Sequence, residues 1–328
     1  MVGLESEKMK TKVVYVLVSQ ENDYYYEMLL LSLYSLRLYH PKDIVEVVMD
    51  EETHQRLIRK QASMLNEVTP IVVSIPSEYT VMQRSRYLKT QIRQFVKGNF
   101  LFVDTDTIIC ESLAEIDEVA ADVSMVANGN NGLPLRSRSS IELCNNAGFA
   151  NLEGQPYYNS GIIYSKDTNC ARQFFNHWHH LWYKSRQTGV NQDQPSLCQA
   201  NIDLDYPIKE LPMIWNCHVG DSFFLPKVKI IHYFSFSSSY RSILFKGIRT
   251  EGFCHPLASA IIQKPRTVGY SLLTMRDLAF NGYLSSEMVY IYETIPKLFH
   301  FMTKLSYLLN RPILLLVRVK NFITKKFQ

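Results

Sequence analysis

The sequence lacks the motifs that mark several common enzyme classes. No Gly-x-Gly-x-x-Gly follows the first predicted strand, where the turn reads SQEND, and no Walker-type glycine loop is present. Oxidoreductases with dinucleotide cofactors and P-loop enzymes both hold phosphates on glycine-rich loops. The absence of such loops therefore argues against both classes.

Long apolar runs and paired cysteines are missing as well. The run VVYVLV near the N-terminus is too short to span a bilayer, and no small-residue cleavage site follows it. The six cysteines are widely scattered and include no Cys-x-x-Cys pair, which suits reduced thiols better than a disulfide framework. We therefore expect a cytoplasmic protein.

Acidic residues are absent after Glu293, although Asp and Glu are otherwise nearly as numerous as Lys and Arg. The tail after Pro296 combines aliphatic and aromatic residues with positive charges alone, as is typical of segments that lie on an anionic membrane surface. A helix that docks on a partner and a nucleic-acid patch are the alternatives. We favour the membrane surface and expect no nucleic-acid partner.

Strands and helices alternate through the first hundred residues. This alternation predicts an α/β fold with an open, mostly parallel, Rossmann-like sheet flanked by helices. In such sheets ligands bind at the carboxyl ends of the strands. We expect one domain over residues 1–235 and a helical extension over residues 236–328 that carries the basic tail. The predicted strands in this part are 13–18, 44–49, 71–75 and 100–103, and the predicted helices are 24–39, 51–65 and 83–98.

The middle of the chain is less regular. Residues 123–127 and 227–234 read as strands, and the helical spacing of large apolar residues predicts a helix over 169–187. The Asn-, Gly- and Ser-rich segment 128–140 is typical of a mobile loop. YYNSGIIYSKD, at 157–167, is interpreted as a strand, a bend and a second strand, and Pro195 begins a short helix.

Two aspartates stand where a buried strand ends, in FLFVDTDTIICES. Side chains at i and i+2 of an extended segment point to the same side, so Asp104 and Asp106 can converge on one point. A divalent cation with oxygen ligands, Mg²⁺ or Mn²⁺, would offset their repulsion. The alternative is a turn in which one aspartate caps the next helix.

Two groups of polar residues have ordinary explanations. Arg86, Lys89 and Arg93 form a basic stripe at helical spacing, which is interpreted as a solvated face rather than a phosphate clamp. The histidines of HWHH, at 177–180, have no carboxylate or cysteine at ligand spacing. We therefore favour the surface of an amphipathic helix over a zinc site there.

Four motifs occur in the order FLFVDTDTII, YYNSGIIYS, NQDQPSL and IIHYF. In this order they resemble the retaining glycosyltransferases of family 8 and their bacterial relatives, nucleotide-sugar enzymes of the GT-A fold, over roughly residues 12 to 235. The resemblance implies that Asp104 and Asp106 bind Mn²⁺ and through it the donor diphosphate, with Asp104 also near the ribose. It implies that His232 is the third metal ligand, and an imidazole suits Mn²⁺ chemically.

The same resemblance assigns residues that contact the sugar. Asn159 matches the asparagine of the family's Asn-Ala-Gly, which contacts the donor sugar, and Gly161 permits a close backbone approach there. Asp193 and Gln194 match the Asp-Gln pair near the reacting carbon, and Arg86 matches an arginine that touches the donor. Read without the family, Asn159 and Gly161 form a structural turn, and residues 191–194 form a polar helix start.

The expected function is a metal-dependent glycosyltransferase that moves a sugar, with retention, from a UDP-linked donor to a carbohydrate or lipid-linked glycan. The acceptor would be a cell-envelope glycan or another carbohydrate. One motif departs from the family, because YFSFSSSYRS follows His232 where many members have Gly and then Lys-Pro-Trp. The alternatives are a sugar-phosphate nucleotidyltransferase, which would carry a glycine-rich basic loop in place of SQEND, and a catalytically silent sugar- or nucleotide-binding protein.

Overall fold

A computed structural model describes residues 8–20, 25–128, 134–218 and 228–232. The expected boundary near residue 235, the extension over 236–328 and its basic tail all lie outside the described residues. Within them, no helix is both long enough and apolar enough to cross a bilayer.

The core is a seven-stranded sheet in the order β3-β2-β1-β4-β7-β6-β8. Strands β3, β2, β1 and β4 run parallel to one another, β7 is antiparallel to both β4 and β6, and β8 is parallel to β6. The predicted open, mostly parallel α/β sheet is confirmed. The strands are β1 (Lys12–Leu17), β2 (Val45–Asp50), β3 (Thr69–Val73), β4 (Phe100–Val103), β6 (Val123–Ala127), β7 (Tyr158–Ser165) and β8 (Ile208–Leu211).

Helices cover both faces of this sheet. Successive residues of a strand point to opposite faces, and in β1 the apolar residues on both faces are buried. Val13, Tyr15 and Leu17 of β1 pack in one core with α1, while Val14 and Val16 belong to a second core with α3 and α6. The helices are α1 (Tyr25–Tyr39), α2 (Glu51–Arg59), α3 (Val81–Thr90), α4 (Ile92–Phe95), α5 (Arg138–Asn146), α6 (Asn169–Gln187) and α7 (Gln194–Asp203).

Four local predictions are wrong. The helix predicted over 51–65 ends at Arg59, and a separate 3₁₀ turn covers Ser63–Asn66. The helix predicted over 83–98 is divided at Gln91 into α3 and α4. The segment interpreted as strand, bend and strand is the single strand β7, and Gly161 lies within it, where the pairing of β7 with β6 shifts in register. Finally, α5 begins at Arg138, inside the segment predicted as a loop.

A small second sheet joins distant parts of the chain in the order β5-β10-β9. Its strands are β5 (Thr107–Ile109), β9 (Cys217–His218) and β10 (Ile230–His232). β10 is antiparallel to β5, with His232 opposite Thr107. This pairing brings a histidine from the end of the described chain next to the aspartates that follow β4.

Candidate active site

Asp104 and Asp106 lie in the short connection between β4 and β5, at the carboxyl end of the parallel strands. The order of the strands reverses between β1 and β4, and α/β sheets bind their ligands at such a switch point. The backbone N–H of Asp104 donates to Gly161 O at 2.8 Å, and the Thr107 hydroxyl donates to Asp104 O at 2.9 Å. These two bonds hold the backbone of Asp104 at the edge of the large sheet.

Asp104, Asp106 and His232 converge, as the sequence predicts. One ligand atom from each lies within 4.8 Å of the others. His232 Nε2 is 3.1 Å from Asp106 Oδ1 and 3.9 Å from Asp104 Oδ2. Two carboxylate oxygens and one imidazole nitrogen fit a divalent cation such as Mn²⁺. The geometry is therefore that of a candidate metal site.

Positive charge already lies beside one of these carboxylates. Lys89 Nζ is 3.1 Å and 3.2 Å from the two oxygens of Asp104. Burial nevertheless raises the pKa of the Asp104 carboxyl, and Lys89 and His232 offset this effect only in part. The ionised form of Asp104 would therefore gain from a further cation.

A third carboxylate, Asp193, is paired within the protein through both of its oxygens. The Ser160 hydroxyl donates to its Oδ2 at 2.7 Å, Arg86 Nε lies 3.0 Å from Oδ1, and Lys89 Nζ lies 3.8 Å from Oδ2. Burial alone would raise the pKa of the Asp193 carboxyl, but Arg86, Lys89 and Ser160 together lower it. The same pairing raises the pKa of the Arg86 guanidinium. Although Asp193 precedes α7, its side chain does not cap that helix.

The basic stripe is not a solvated face, so that interpretation is wrong. Lys89 and Arg93 are buried, and the side chain of Arg86 is 30% exposed. α3 packs against the sheet and α6 on this side, which turns Arg86 and Lys89 towards the aspartates. Arg93 instead lies over the ring of Phe100, 4.6 Å from its centroid.

Amide side chains form a connected network beside the metal site. Asn159 Nδ2 donates to Asn128 Oδ1 at 3.3 Å, and Gln194 Nε2 donates to the same oxygen at 3.1 Å. Gln194 Nε2 is also 3.1 Å from Tyr158 O. On the other side, Asn216 Nδ2 donates to Asn159 Oδ1 at 2.9 Å. Asn159 and Gln194 are thus held near each other, as their assignment to one sugar subsite requires.

Gly161 permits a close approach, but the group that approaches it is a side chain of the protein. A Cβ at this position would lie 2.4 Å from His232 Cε1 and 2.7 Å from His232 Nδ1. The imidazole therefore lies directly against the backbone of β7. A residue with any side chain at 161 would displace the third member of the metal cluster.

Four residues of the site were not assigned from the sequence: Lys89, Asn128, Ser160 and Asn216. Lys89 belonged to the stripe interpreted as solvated, and Ser160 stands inside the Asn-Ser-Gly motif. Asn128 directly follows β6, so the rule that drew attention to Asp104 applies to it as well. Nothing in the local sequence marks Asn216, which stands in the short segment before β9.

The histidines of HWHH point to separate partners. His177 Nε2 is 2.7 Å from Asp203 Oδ2, and His179 Nδ1 is 2.8 Å from Thr90 Oγ1. Among the residues that the structure describes, the group whose ligand atoms lie close enough together to hold a metal ion consists of Asp104, Asp106 and His232.

A family model described as nucleotide-diphospho-sugar transferase matches residues 41–202, just under half of the chain. The match includes Asp104, Asp106, Asn159, Asp193 and Gln194, and His232 lies beyond it. It supports a glycosyltransferase that takes its sugar from a nucleotide sugar. No curated protein matches the chain significantly by sequence.

Solved glycosyltransferases resemble the structure distantly. The apo form of mouse xyloside xylosyltransferase 1 is 14% identical with a TM-score of 0.47, over 68% of this chain and 97% of that one. The apo form of glycosyltransferase GlyE from Streptococcus pneumoniae TIGR4 is 15% identical with a TM-score of 0.48. That alignment covers 78% of this chain, which spans 63% of the GlyE chain. Likenesses at these TM-scores do not assign an activity.

Proposed function

We propose that this protein is a metal-dependent, retaining glycosyltransferase of the family 8 type, with a UDP-linked sugar as donor and a carbohydrate or lipid-linked glycan as acceptor. The observation that carries the proposal is the convergence of Asp104, Asp106 and His232 at the switch point of the sheet, next to Asn159, Asp193 and Gln194. The family match supports the coarser statement, a transferase that uses nucleotide sugars.

In this proposal Asp104, Asp106 and His232 hold Mn²⁺ or Mg²⁺. A divalent cation there supplies Lewis-acid stabilisation of the diphosphate leaving group. Arg86 adds a fixed positive charge, because its partly exposed side chain pairs with Asp193 and is near enough to Asp104 and Asp106 to be influenced by their charges. Arg86 is therefore our candidate for holding the diphosphate in a chain that lacks the family's Lys-Pro-Trp motif.

The sugar would lie against the amides of Asn159 and Gln194. An oxocarbenium-like transition state develops positive charge on the sugar ring, and fixed dipoles and the nearby Asp193 carboxylate stabilise such charge. Because Asn128 Oδ1 accepts from both amides, their orientations are set before a ligand arrives. The site then has little reorganisation to complete during the reaction.

The surroundings of Asp193 support retention over an inverting reaction with Asp193 as general base. Both of its oxygens contact hydrogen-bond or ion-pair partners, and its pKa is lowered. A carboxylate with a lowered pKa is a weak base for an acceptor hydroxyl. We assign Asp193 to electrostatic stabilisation near the reacting carbon and to holding Arg86.

We extend the proposal to location: the protein acts in the cytoplasm on the inner face of a membrane, where the basic tail after Pro296 contacts anionic lipid. A surface-bound enzyme would have ready access to a lipid-linked acceptor. Replacing Lys320, Lys325 and Lys326 with Glu in the full chain should abolish cosedimentation with anionic liposomes. Unchanged cosedimentation would remove the tail from this role.

A panel of nucleotide sugars, each offered with and without Mn²⁺, tests the proposed function. We expect metal-dependent nucleotide release and protection against heat with at least one UDP-sugar. Protection without turnover, over a panel of glycan acceptors, would favour the silent binding protein. Neither binding nor hydrolysis of any donor, with Mn²⁺ or Mg²⁺, would refute the enzyme.

A further inference from the structure

We propose that Asn216 is a positioning residue for the metal site: it fixes the tautomer and the orientation of His232, and it joins the metal ligand to the sugar-binding amides. The inference rests on the proposed function, because it takes His232 to be a metal ligand. Asn216 is fully buried, and both ends of its amide are bonded.

The backbone determines which way the Asn216 amide points. The N–H of Gly161 donates to Asn159 Oδ1 at 2.8 Å, and a backbone N–H can only donate, so the side-chain atom of Asn159 at this place is the oxygen. The atom of Asn216 that faces this oxygen at 2.9 Å must then be the amide nitrogen. Its amide oxygen consequently faces His232.

This polarity sets the tautomer of the imidazole. His232 Nδ1 lies 2.9 Å from Asn216 Oδ1, which can only accept, so Nδ1 carries the proton and donates. A cation held by Asp104 and Asp106 would then meet the lone pair of Nε2, which lies 3.1 Å from Asp106 Oδ1 and 3.9 Å from Asp104 Oδ2. Ligating histidines are commonly held in this way by an acceptor on the other ring nitrogen.

Packing also restricts the position of the His232 imidazole ring. His232 packs against Gly161 where even a methyl group would overlap with Cε1. The same glycine supplies the N–H that orients Asn159, so one backbone unit of β7 both makes room for the ring and sets the polarity of the network. Asn216 closes the third side, at Nδ1.

The network continues to the residues proposed to bind the sugar. With Asn159 Oδ1 bonded to Gly161 and Asn216, the Asn159 amide nitrogen is turned towards Asn128, whose oxygen also accepts from Gln194. A change at Asn216 should therefore affect donor binding through Asn159 as well as cation binding through His232.

The test compares Asn216→Ala and Asn216→Asp with Asn201→Ala in the full chain, and measures Mn²⁺ affinity and the ¹⁴N coupling of bound Mn²⁺ by pulsed electron paramagnetic resonance. Asn201 is the matched control because it is also buried, in α7, where its side chain accepts from the N–H of Ile208 at 3.1 Å. Loss of this bond should lower stability but leave Mn²⁺ binding unchanged.

We expect N216A to weaken Mn²⁺ binding by about 10- to 100-fold and to diminish the ¹⁴N coupling. N216D should bind Mn²⁺ within about threefold of wild type, because a carboxylate also accepts from Nδ1–H and such groups raise the basicity of the ligand. N216D still loses the donor to Asn159, so heat protection by the nucleotide sugar should fall. If N216A does not fold, N216D carries the test alone: retained Mn²⁺ binding with reduced heat protection supports the inference, and unchanged heat protection overturns it.

The outcomes separate this inference from the proposed function. Wild-type protein that binds no Mn²⁺ would refute the metal site itself. Wild-type protein that binds Mn²⁺ with ¹⁴N coupling, beside a folded N216A with unchanged affinity and coupling, would refute only the role of Asn216. Loss of Mn²⁺ binding in a folded N216D, or an equal loss in N201A, would also overturn it.

Discussion

Asp104 and Asp193 both lie within 4 Å of the ammonium of Lys89, yet the protein shifts their pKa values in opposite directions. Asp193 also contacts Arg86 and Ser160, and its side chain is only 5% exposed. Asp104 faces a second carboxylate and an imidazole, and 26% of its side chain remains exposed. Two carboxylates that share a lysine can therefore lie in different electrostatic environments.

The opposite pKa shifts indicate which of the two carboxylates is balanced by positive charge from the protein and which is not. Around Asp193 the protein supplies its own cations, so a carboxylate there stabilises the folded state. Around Asp104 the desolvation of the carboxyl outweighs the nearby positive charge. A bound divalent cation would offset that deficit, and the carboxylates that converge with a histidine at ligand distances are Asp104 and Asp106, not Asp193.

Asp106→Asn gives the largest contrast between the two regions. It should abolish measurable Mn²⁺ binding and metal-dependent donor binding, because it removes one charged ligand from a set of three. In metal-free protein, the free energy of unfolding should stay within about 1 kcal/mol of wild type, since repulsion with Asp104 is relieved. Calorimetric titration and urea unfolding measure the two effects, and retained Mn²⁺ binding would exclude Asp106 as a ligand.

Asp193→Asn should show the opposite pattern. It removes the counter-charge of Arg86 and leaves Lys89 paired with Asp104 alone, and loss of one partner of a buried ion pair costs about 3 to 5 kcal/mol. Mn²⁺ affinity should remain close to that of wild type. A variant as stable as wild type, but unable to bind Mn²⁺, would reverse our assignment of the two carboxylates.

The stability that Asp193 contributes also has a predicted pH dependence. Because its pKa is lowered in the folded state, the contribution is present above the ordinary pKa of an aspartate, about 3.9, and is lost as pH falls through the folded value. The stability difference between wild type and D193N should therefore shrink in urea titrations carried out below about pH 4.

His179 extends the comparison to a partly buried group whose pKa is shifted by desolvation, with no carboxylate among the causes of the shift. Desolvation and the neighbouring His180 lower its pKa from 6.5 to about 4. The unfolded chain binds this proton between those values and the folded protein does not, so stability falls as pH drops below 6.5. His179→Gln should remove about 2 kcal/mol of the loss between pH 7 and pH 5 in urea unfolding. The exposed His180 provides the control, and an equal change in H180Q would contradict the assignment.

Lys89→Met tests directly the cation that Asp104 and Asp193 share. The ammonium lies against both oxygens of Asp104, so its removal should tighten Mn²⁺ binding by about tenfold, or ~1.4 kcal/mol. Lys12→Met is the control, because Lys12 pairs with Glu46 of β2, away from the site. Weaker Mn²⁺ binding in K89M would mean that Lys89 supports Asp104 instead of competing with the cation.

Much of the fold was predictable because local patterns of apolar and polar residues determine it. Buried parallel strands appear as continuous apolar runs, which predicted β1, β2 and β4 within one or two residues. Helical spacing predicted α6 at its observed bounds. Asp104 and Asp106 follow from the same logic, since they stand where a buried strand ends.

The errors arise where a distant residue determines the local structure. Gly161 suggested a bend, but it lies within β7, where the ring of His232 packs against its backbone. Arg86 and Lys89 looked solvated because their partner, Asp193, stands more than a hundred positions later. His232 came from the resemblance to a family, and Asn216 from the three-dimensional structure alone, since its role exists only through the pairing of β9 with β10.

The most direct test of the central claim is a Mn²⁺ titration of wild type and His232→Ala in which electron paramagnetic resonance reports both the bound Mn²⁺ and its ¹⁴N coupling. The claim is that residues 104, 106 and 232, brought together by two sheets, form one metal site. It predicts one Mn²⁺ per chain with ¹⁴N coupling in wild type, and both weaker binding and no coupling in H232A. Wild-type protein without Mn²⁺ binding, or H232A with unchanged affinity and coupling, would contradict the account.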